Sequence, residues 1–209
     1  MHHYYMLNKP HGYISARRDE RHRTVLDLFP EQMRDVIYPV GRLDLDTEGL
    51  LILTDDGDLC YRITNPAFCI TKKYFFWVHG EPDVKKLSEL ALGARVFTGK
   101  DIVTAPAKIE LLETRTLRDI KDLLSACDSG VANRRGDTLV RSGTIEITEG
   151  KKHQVKRMMR FTGPKVVYLK RLAIADLSLD PDLLPGEYRE LTPDEIAALK
   201  KITEKSEQA

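Results

Sequence analysis

Apolar positions along the chain fall into short runs separated by turn residues. Tyr4–Leu7, Val36–Val40, Leu50–Thr54, Ile70–His79, Ala107–Leu112, Gly143–Thr148, Lys165–Leu169 and Ala173–Leu177 are rich in β-branched or aromatic residues or bounded by turn signals, and each predicts a strand. Within Ile70–His79, alternation puts Tyr74, Phe76 and Val78 on one face and Phe75 and Trp77 on the other. Helical spacing is scarcer. Pro82–Leu92 carries Val84, Leu87, Leu90 and Ala91 on one stripe and ends at Gly93, a natural C-cap. Lys152–Phe161 predicts a second helix, closed by Thr162-Gly163-Pro164. A third opens at Thr192-Pro193-Asp194-Glu195, with a cap, a proline in the first turn and acids beside the positive end of the helix dipole. Residues 114–141 read as an excursion from the sheet, helical around Leu117–Leu124, with Asn133-Arg134-Arg135-Gly136 as an exposed tip or an RNA-contacting hairpin. The pattern predicts one α+β unit, without repeats or linkers.

Composition narrows the class. A chain of 209 residues with 42% hydrophobic and 31% charged residues is too apolar for a disordered tail and long enough for a sizeable core. No uncharged apolar stretch approaches the ~18 residues of a membrane span, and no apolar signal segment follows a basic leader at the start, so the expectation is a cytoplasmic protein without membrane contact. Cys60, Cys69 and Cys127 share no C-x-x-C spacing, which suggests neither a disulfide framework nor a thiolate metal site. Net charge is only +1, yet residues 150–172 hold Lys151, Lys152, Lys156, Arg157, Arg160, Lys165, Lys170 and Arg171 with no acid. Such a patch is either a solvated face or a site for a polyanion.

The stretch richest in chemistry is Gly41-Arg42-Leu43-Asp44-Leu45-Asp46-Thr47-Glu48-Gly49-Leu50-Leu51-Ile52-Leu53-Thr54-Asp55-Asp56-Gly57, an acidic, glycine-bearing loop between two predicted strands. Asp44, Asp46, Glu48, Gly49 and Asp55 occupy positions 1, 3, 5, 6 and 12 of a calcium-loop template, but the bidentate Glu is missing and the flanks are β-rich rather than helical. Asp44-Leu45-Asp46-Thr47 is also similar to an aspartyl phosphohydrolase nucleophile, with the threonine one residue early and Arg42 breaking the apolar strand. No metal is therefore assigned.

This stretch resembles the signature of the RsuA/RluB/RluE/RluF group of bacterial ribosomal RNA pseudouridine synthases. Other family-like segments follow in the family's order: Leu7-Asn8-Lys9-Pro10-x-Gly12, Lys72-Lys73-Tyr74, Pro106-Ala107, Glu149-Gly150-Lys151-Lys152-His153-Gln154-Val155-Lys156-Arg157-Met158, and Gly186–Thr192. The resemblance implies an α+β catalytic domain over residues 1–209, with a central, mainly antiparallel sheet, flanking helices and an RNA cleft across the sheet. Most members of the group carry an S4-type RNA-binding domain before the Leu-Asn-Lys-Pro segment; this sequence starts almost on that segment, so no S4 domain is expected.

The resemblance also implies the chemistry. The C1′–N1 bond of a uridine breaks and the uracil rejoins through C5, without cofactor. Asp44, following Arg-Leu, is the implied catalytic aspartate, whether it attacks the sugar, attacks the base or assists loss of the 2′ proton. Asp46 reads as a brace of the turn. Tyr74 reads as core from its alternation, and by resemblance as the ring that covers the uracil. Lys156 is either a helix-surface lysine on a phosphate or, by resemblance, the cation that keeps Asp44 ionised. Arg42 is a candidate to fill the space left by a flipped uridine. Lys9, Lys151, Lys152, Arg157 and Arg160 are proposed phosphate contacts. The implied partner is ribosomal RNA or an assembly intermediate, 16S rather than 23S, acted on by a monomer. The alternatives are a 23S enzyme and a non-catalytic RNA-binding or ribosome-assembly factor on the same fold.

Overall fold

The structure is a computed structural model and describes residues 2–99, 101–124 and 136–205. In chain order the strands are β1 (Tyr4–Lys9), β2 (Tyr38–Pro39), β3 (Glu48–Thr54), β4 (Lys72–His79), β5 (Arg95–Phe97), β6 (Asp101–Val103), β7 (Lys108–Thr116), β8 (Leu139–Ile147), β9 (Lys165–Ile174), β10 (Leu177–Ser178) and β11 (Tyr188–Glu190). The helices are α1 (Glu31–Arg34), α2 (Gly57–Thr64), α3 (Val84–Leu92), α4 (Lys121–Leu124), α5 (Gln154–Phe161) and α6 (Pro193–Lys205), with 3-10 turns at Val25–Leu28 and Pro66–Phe68. Among the described residues no helix is long and apolar enough to cross a membrane. The backbone groups into two compact units: residues 1–72 with 170–209, and residues 73–169.

In the first unit the strand order is β11-β1-β3-β9, with β2 on β3 and β10 on β9. All pairs are antiparallel except β3 with β9, where Glu48 faces Lys170 and Gly49 faces Arg171. Strands β1 and β3 are buried along their whole length, which explains their continuous apolar runs in place of alternation. One face carries a core of Met6, Leu50, Ile52, Leu59, Ile63, Ile174 and Leu199. The capping box expected at Thr192 forms: Thr192 donates its amide to Glu195 Oε2 (2.8 Å), and Glu195 returns its own to Thr192 Oγ1 (3.2 Å).

In the second unit the order is β9-β4-β8-β7, and β5 and β6 form a separate two-stranded hairpin. Trp77, Leu117, Ile120, Leu124, Val140 and Tyr168 form a core cluster, with Phe75 packed against it, as the predicted alternation of β4 requires. Helix α3 is capped by Asp83, which accepts from the amide of Lys85 (2.8 Å), and ends at Gly93 with φ +87°. Helix α4 falls within the excursion, while most of its expected tip, 133–135, lies outside the described residues.

Three expectations change. The predicted strand Val36–Val40 shrinks to Tyr38–Pro39. The predicted breaks around Lys170 and Arg171 vanish, because buried Arg171 spends its Nε on the carbonyl of Leu50 (2.7 Å) and β9 runs through. Helix α2 stands where the pattern predicted no element: Asp56 caps it by accepting from the amide of Leu59 (3.0 Å), and Leu59 and Ile63 turn inward four residues apart.

Candidate active site

The first unit holds Lys9, Arg42 and Asp44 around one loop. Val40 closes onto β3 by donating its amide to Ile52 (2.8 Å), and the chain then leaves the sheet at Gly41, whose φ is +73°. It re-enters at Gly49, with φ +96°, where a Cβ would stand 2.2 Å from the carbonyl oxygen of Arg171. Only glycine permits that approach of β3 to β9. Between these hinges, Ser15 Oγ accepts from the amide of Leu43 (3.0 Å) and donates to its carbonyl (3.2 Å). The Asp44 carbonyl accepts from the amide of Thr47 (3.1 Å), making a tight turn, and the Leu45 carbonyl accepts from the amide of Gly12 (2.9 Å). Asp44 is thereby half-buried on a loop clamped by backbone bonds on both sides, while Arg42 and Asp46 are exposed.

Lys9 corrects the sequence reading. It is fully buried, and its Nζ donates to the carbonyls of Pro10 (3.0 Å), Leu45 (3.4 Å) and Thr47 (2.8 Å). An ammonium so enclosed does not reach a phosphate; it ties the Leu-Asn-Lys-Pro segment to the aspartate loop. Arg171 leaves the basic patch for the same reason, being 3% exposed. Its neighbour Lys72 is also buried, donates to the carbonyls of Ile63 (3.1 Å) and Ile70 (2.8 Å), and has its pKa lowered to about 8 by burial and by the Arg171 charge.

Two further acids of the signature, Asp55 and Asp56, are structural. Burial pushes the Asp55 carboxyl up, but hydrogen bonds from His3 and His2 outweigh it and bring the pKa down to about 2. Asp56, besides capping α2, accepts from the hydroxyl of Tyr4 (2.7 Å). Among the described residues no cluster of three or more His, Cys, Asp or Glu is arranged to hold a metal ion.

The second unit holds Tyr74 and the basic segment. Tyr74 is buried in β4, 8% exposed. Ahead of α5, Glu149 is an organiser that sequence reasoning left without a role. Its Oε1 accepts from the amide of Ala105 (2.9 Å) and from Gln154 Nε2 (2.5 Å), and its Oε2 pairs with Lys151 Nζ. Gln154 Oε1 in turn accepts from the amide of Lys151 (2.9 Å), and His153 takes φ +52° as the chain enters the helix. The motif's Glu and Gln thus shape the entry to α5, and the Pro106-Ala107 segment is recruited through its neighbour Ala105. Their presence in one quoted motif was the available signal.

Lys151 has partners within the fold, since its ammonium also bonds the carbonyl of Val103, and its side chain stays exposed beside them. Lys156 and Arg157 are half-buried, and Arg157 Nε donates to Thr98 Oγ1 (2.9 Å). Lys152 and Arg160 are exposed, the latter touching the carbonyl of Gly163 (3.3 Å). With Lys165 also exposed and Lys170 half-buried, the segment keeps a largely solvent-facing positive charge suited to a polyanion.

Comparison with known proteins matches both halves of this arrangement. A sequence model of the family described as RNA pseudouridylate synthase covers residues 3–161. An uncharacterized RNA pseudouridine synthase of Bacillus subtilis (strain 168), YtzG, is 41% identical over 199 residues, 95% of this chain and 73% of the relative. The ribosomal small subunit pseudouridine synthase A of Pseudomonas aeruginosa is 37% identical over 196 residues, 94% of this chain and 74% of that protein. A crystal structure of a pseudouridylate synthase, 34% identical, superposes with a TM-score of 0.75 over 95% of this chain and 74% of that one.

Proposed function

Because the chain belongs to the RNA pseudouridylate synthase family, as an enzyme of the RsuA type, we propose that it converts one uridine of 16S ribosomal RNA to pseudouridine with Asp44 as the reacting carboxylate. Two relatives at 35–37% identity are small-subunit enzymes by name, which supports the choice of RNA. The observation that carries the aspartate is the clamped loop. Asp44 is half-buried on the clamped turn, whereas Asp46 is exposed, Glu48 is buried in β3, and Asp55 and Asp56 are engaged in holding the fold.

The isomerisation moves no atoms in or out of the nucleotide other than exchangeable protons: C1′–N1 breaks, C1′–C5 forms, C5 gives up a proton and N1 gains one. A carboxylate at C1′, at the ring or at the 2′ proton needs to be ionised and fixed, and the loop supplies the fixing. In this reading Lys156 supplies the positive charge that favours the ionised aspartate and Tyr74 the aromatic face for the turning uracil, as the family resemblance assigns them. Arg42, exposed on the loop, enters the space of the flipped base. Lys152, Arg157 and Arg160 hold phosphates.

The test is incubation with unmodified 16S and 23S transcripts and assembly intermediates, followed by carbodiimide mapping of pseudouridine. One 16S uridine is converted by the wild type and none by Asp44→Asn, which binds RNA within several-fold because size and hydrogen-bonding capacity are kept. Most of the single-turnover rate surviving in Asp44→Asn refutes the assignment, and conversion confined to 23S refutes the substrate.

A further inference from the structure

Phe97 is 70% exposed, and no Phe, Tyr or Trp among the described residues is more so. It sits on the β5-β6 hairpin, whose register sets Arg95 opposite Val103, Val96 opposite Ile102 and Phe97 opposite Asp101. Alternation turns Val96 inward and Arg95, Phe97, Asp101 and Val103 outward, all four exposed. The folded core gains nothing from a ring in that position.

The hairpin is not an isolated flap. Arg157 donates to Thr98 Oγ1 beside the ring (2.9 Å), and Lys151 bonds the carbonyl of Val103 on the second strand. Both cations come from the segment that also presents Lys152 and Arg160 to solvent. Asp101, the acid opposite the ring, is answered by Arg95 at 3.6 Å. An aromatic face is therefore fastened to the basic segment, and a ring beside cations is the combination by which proteins hold unpaired nucleic acid: charge follows the backbone and the ring takes a base.

We propose that Phe97 is a base-stacking subsite, taking an unpaired nucleobase of the substrate RNA while neighbouring phosphates meet Lys152 and Arg160. The inference rests on the RNA-modifying reading above and deepens it. A protein partner covering the same ring would have to desolvate Lys152 and the Arg95–Asp101 pair, whereas RNA brings an anion for each free cation and a π face for the ring.

The experiment measures affinity of the full chain for a 16S fragment across salt concentration, single-turnover conversion and thermal stability, for Phe97→Ala, Phe97→Leu and Phe97→Trp. Phe97→Ala weakens binding on the order of tenfold. Its slope of log affinity against log salt stays that of the wild type because no charge is lost. Conversion at saturating RNA and the melting temperature are unchanged. Phe97→Leu, apolar but without a π face, behaves like Phe97→Ala. Phe97→Trp binds as the wild type does, and the introduced indole is quenched by RNA against a background of one buried tryptophan, Trp77. The subsite is overturned by wild-type affinity in Phe97→Ala or in Phe97→Leu, or by a loss seen only with protein-bearing ribosomal particles, which marks a protein contact. A wild type that neither binds nor modifies RNA overturns the functional reading itself.

Discussion

Replacing Lys9 by methionine separates the two roles that this lysine could have. Lys9→Met keeps an unbranched apolar stem and deletes the ammonium. The Leu45 carbonyl keeps the Gly12 amide as donor, but Thr47 loses a bond of 2.8 Å and Pro10 one of 3.0 Å, in a place with no exposed surface at Lys9 itself. A hydrogen bond to a charged group contributes about 1.5–3 kcal/mol, and a buried acceptor left unpaired costs about 1–3 kcal/mol. Part of this is returned because no ammonium has to be desolvated. The expected net loss is about 2–4 kcal/mol, a large share of a stability of about 5–15 kcal/mol. Urea unfolding then shows a lower midpoint at unchanged slope m, and the single-turnover rate falls because the turn at 44–47 has lost a support. The salt dependence of RNA affinity keeps the wild-type slope. Unchanged stability together with a slope shallower by about one unit refutes the argument, since that is the signature of a lysine on a phosphate.

Gly49→Ala forces a Cβ into the Arg171 backbone at 2.2 Å with φ at +96°; strain and overpacking together cost about 2–5 kcal/mol, and a melting temperature within 2 °C of wild type, against an expected fall of about 5–15 °C, refutes the close approach. Lys72 titrates near pH 8 when folded and near its ordinary 10.5 when unfolded. The unfolded chain therefore holds more protons between those values, and stability rises with pH through that window. Relative to Lys72→Met, the wild type gains about 2 kcal/mol between pH 8 and 10 in chemical denaturation, and parallel curves refute the burial argument. Lys152→Ala weakens binding of all RNA sequences alike and makes the salt slope shallower by about one unit, while Lys156→Met slows the chemical step with little change in affinity. If both mutants only weaken binding, Lys156 belongs with the phosphate contacts.

The sequence by itself determined the elements whose signal is local. Runs rich in β-branched and aromatic residues gave β1, β4 and β8, and caps and helical stripes gave α3, α5 and α6, because each of these depends on residues within a few positions of one another. Helix α2 was also legible in Asp56 with Leu59 and Ile63, but the acidic loop before it drew the reading away. What tertiary structure decided is the fate of the charges. Lys9, Lys72 and Arg171 look in sequence like Lys152 and Arg160, yet all three are buried on backbone carbonyls. A cation's worth to RNA depends on whether the fold leaves it in water, and that depends on carbonyls brought in from distant segments: Thr47 for Lys9, 38 residues away, and Leu50 for Arg171, 121 residues away. The same holds for Gly49, whose need for glycine arises only when β9 is laid beside β3, a pairing that no local pattern contains.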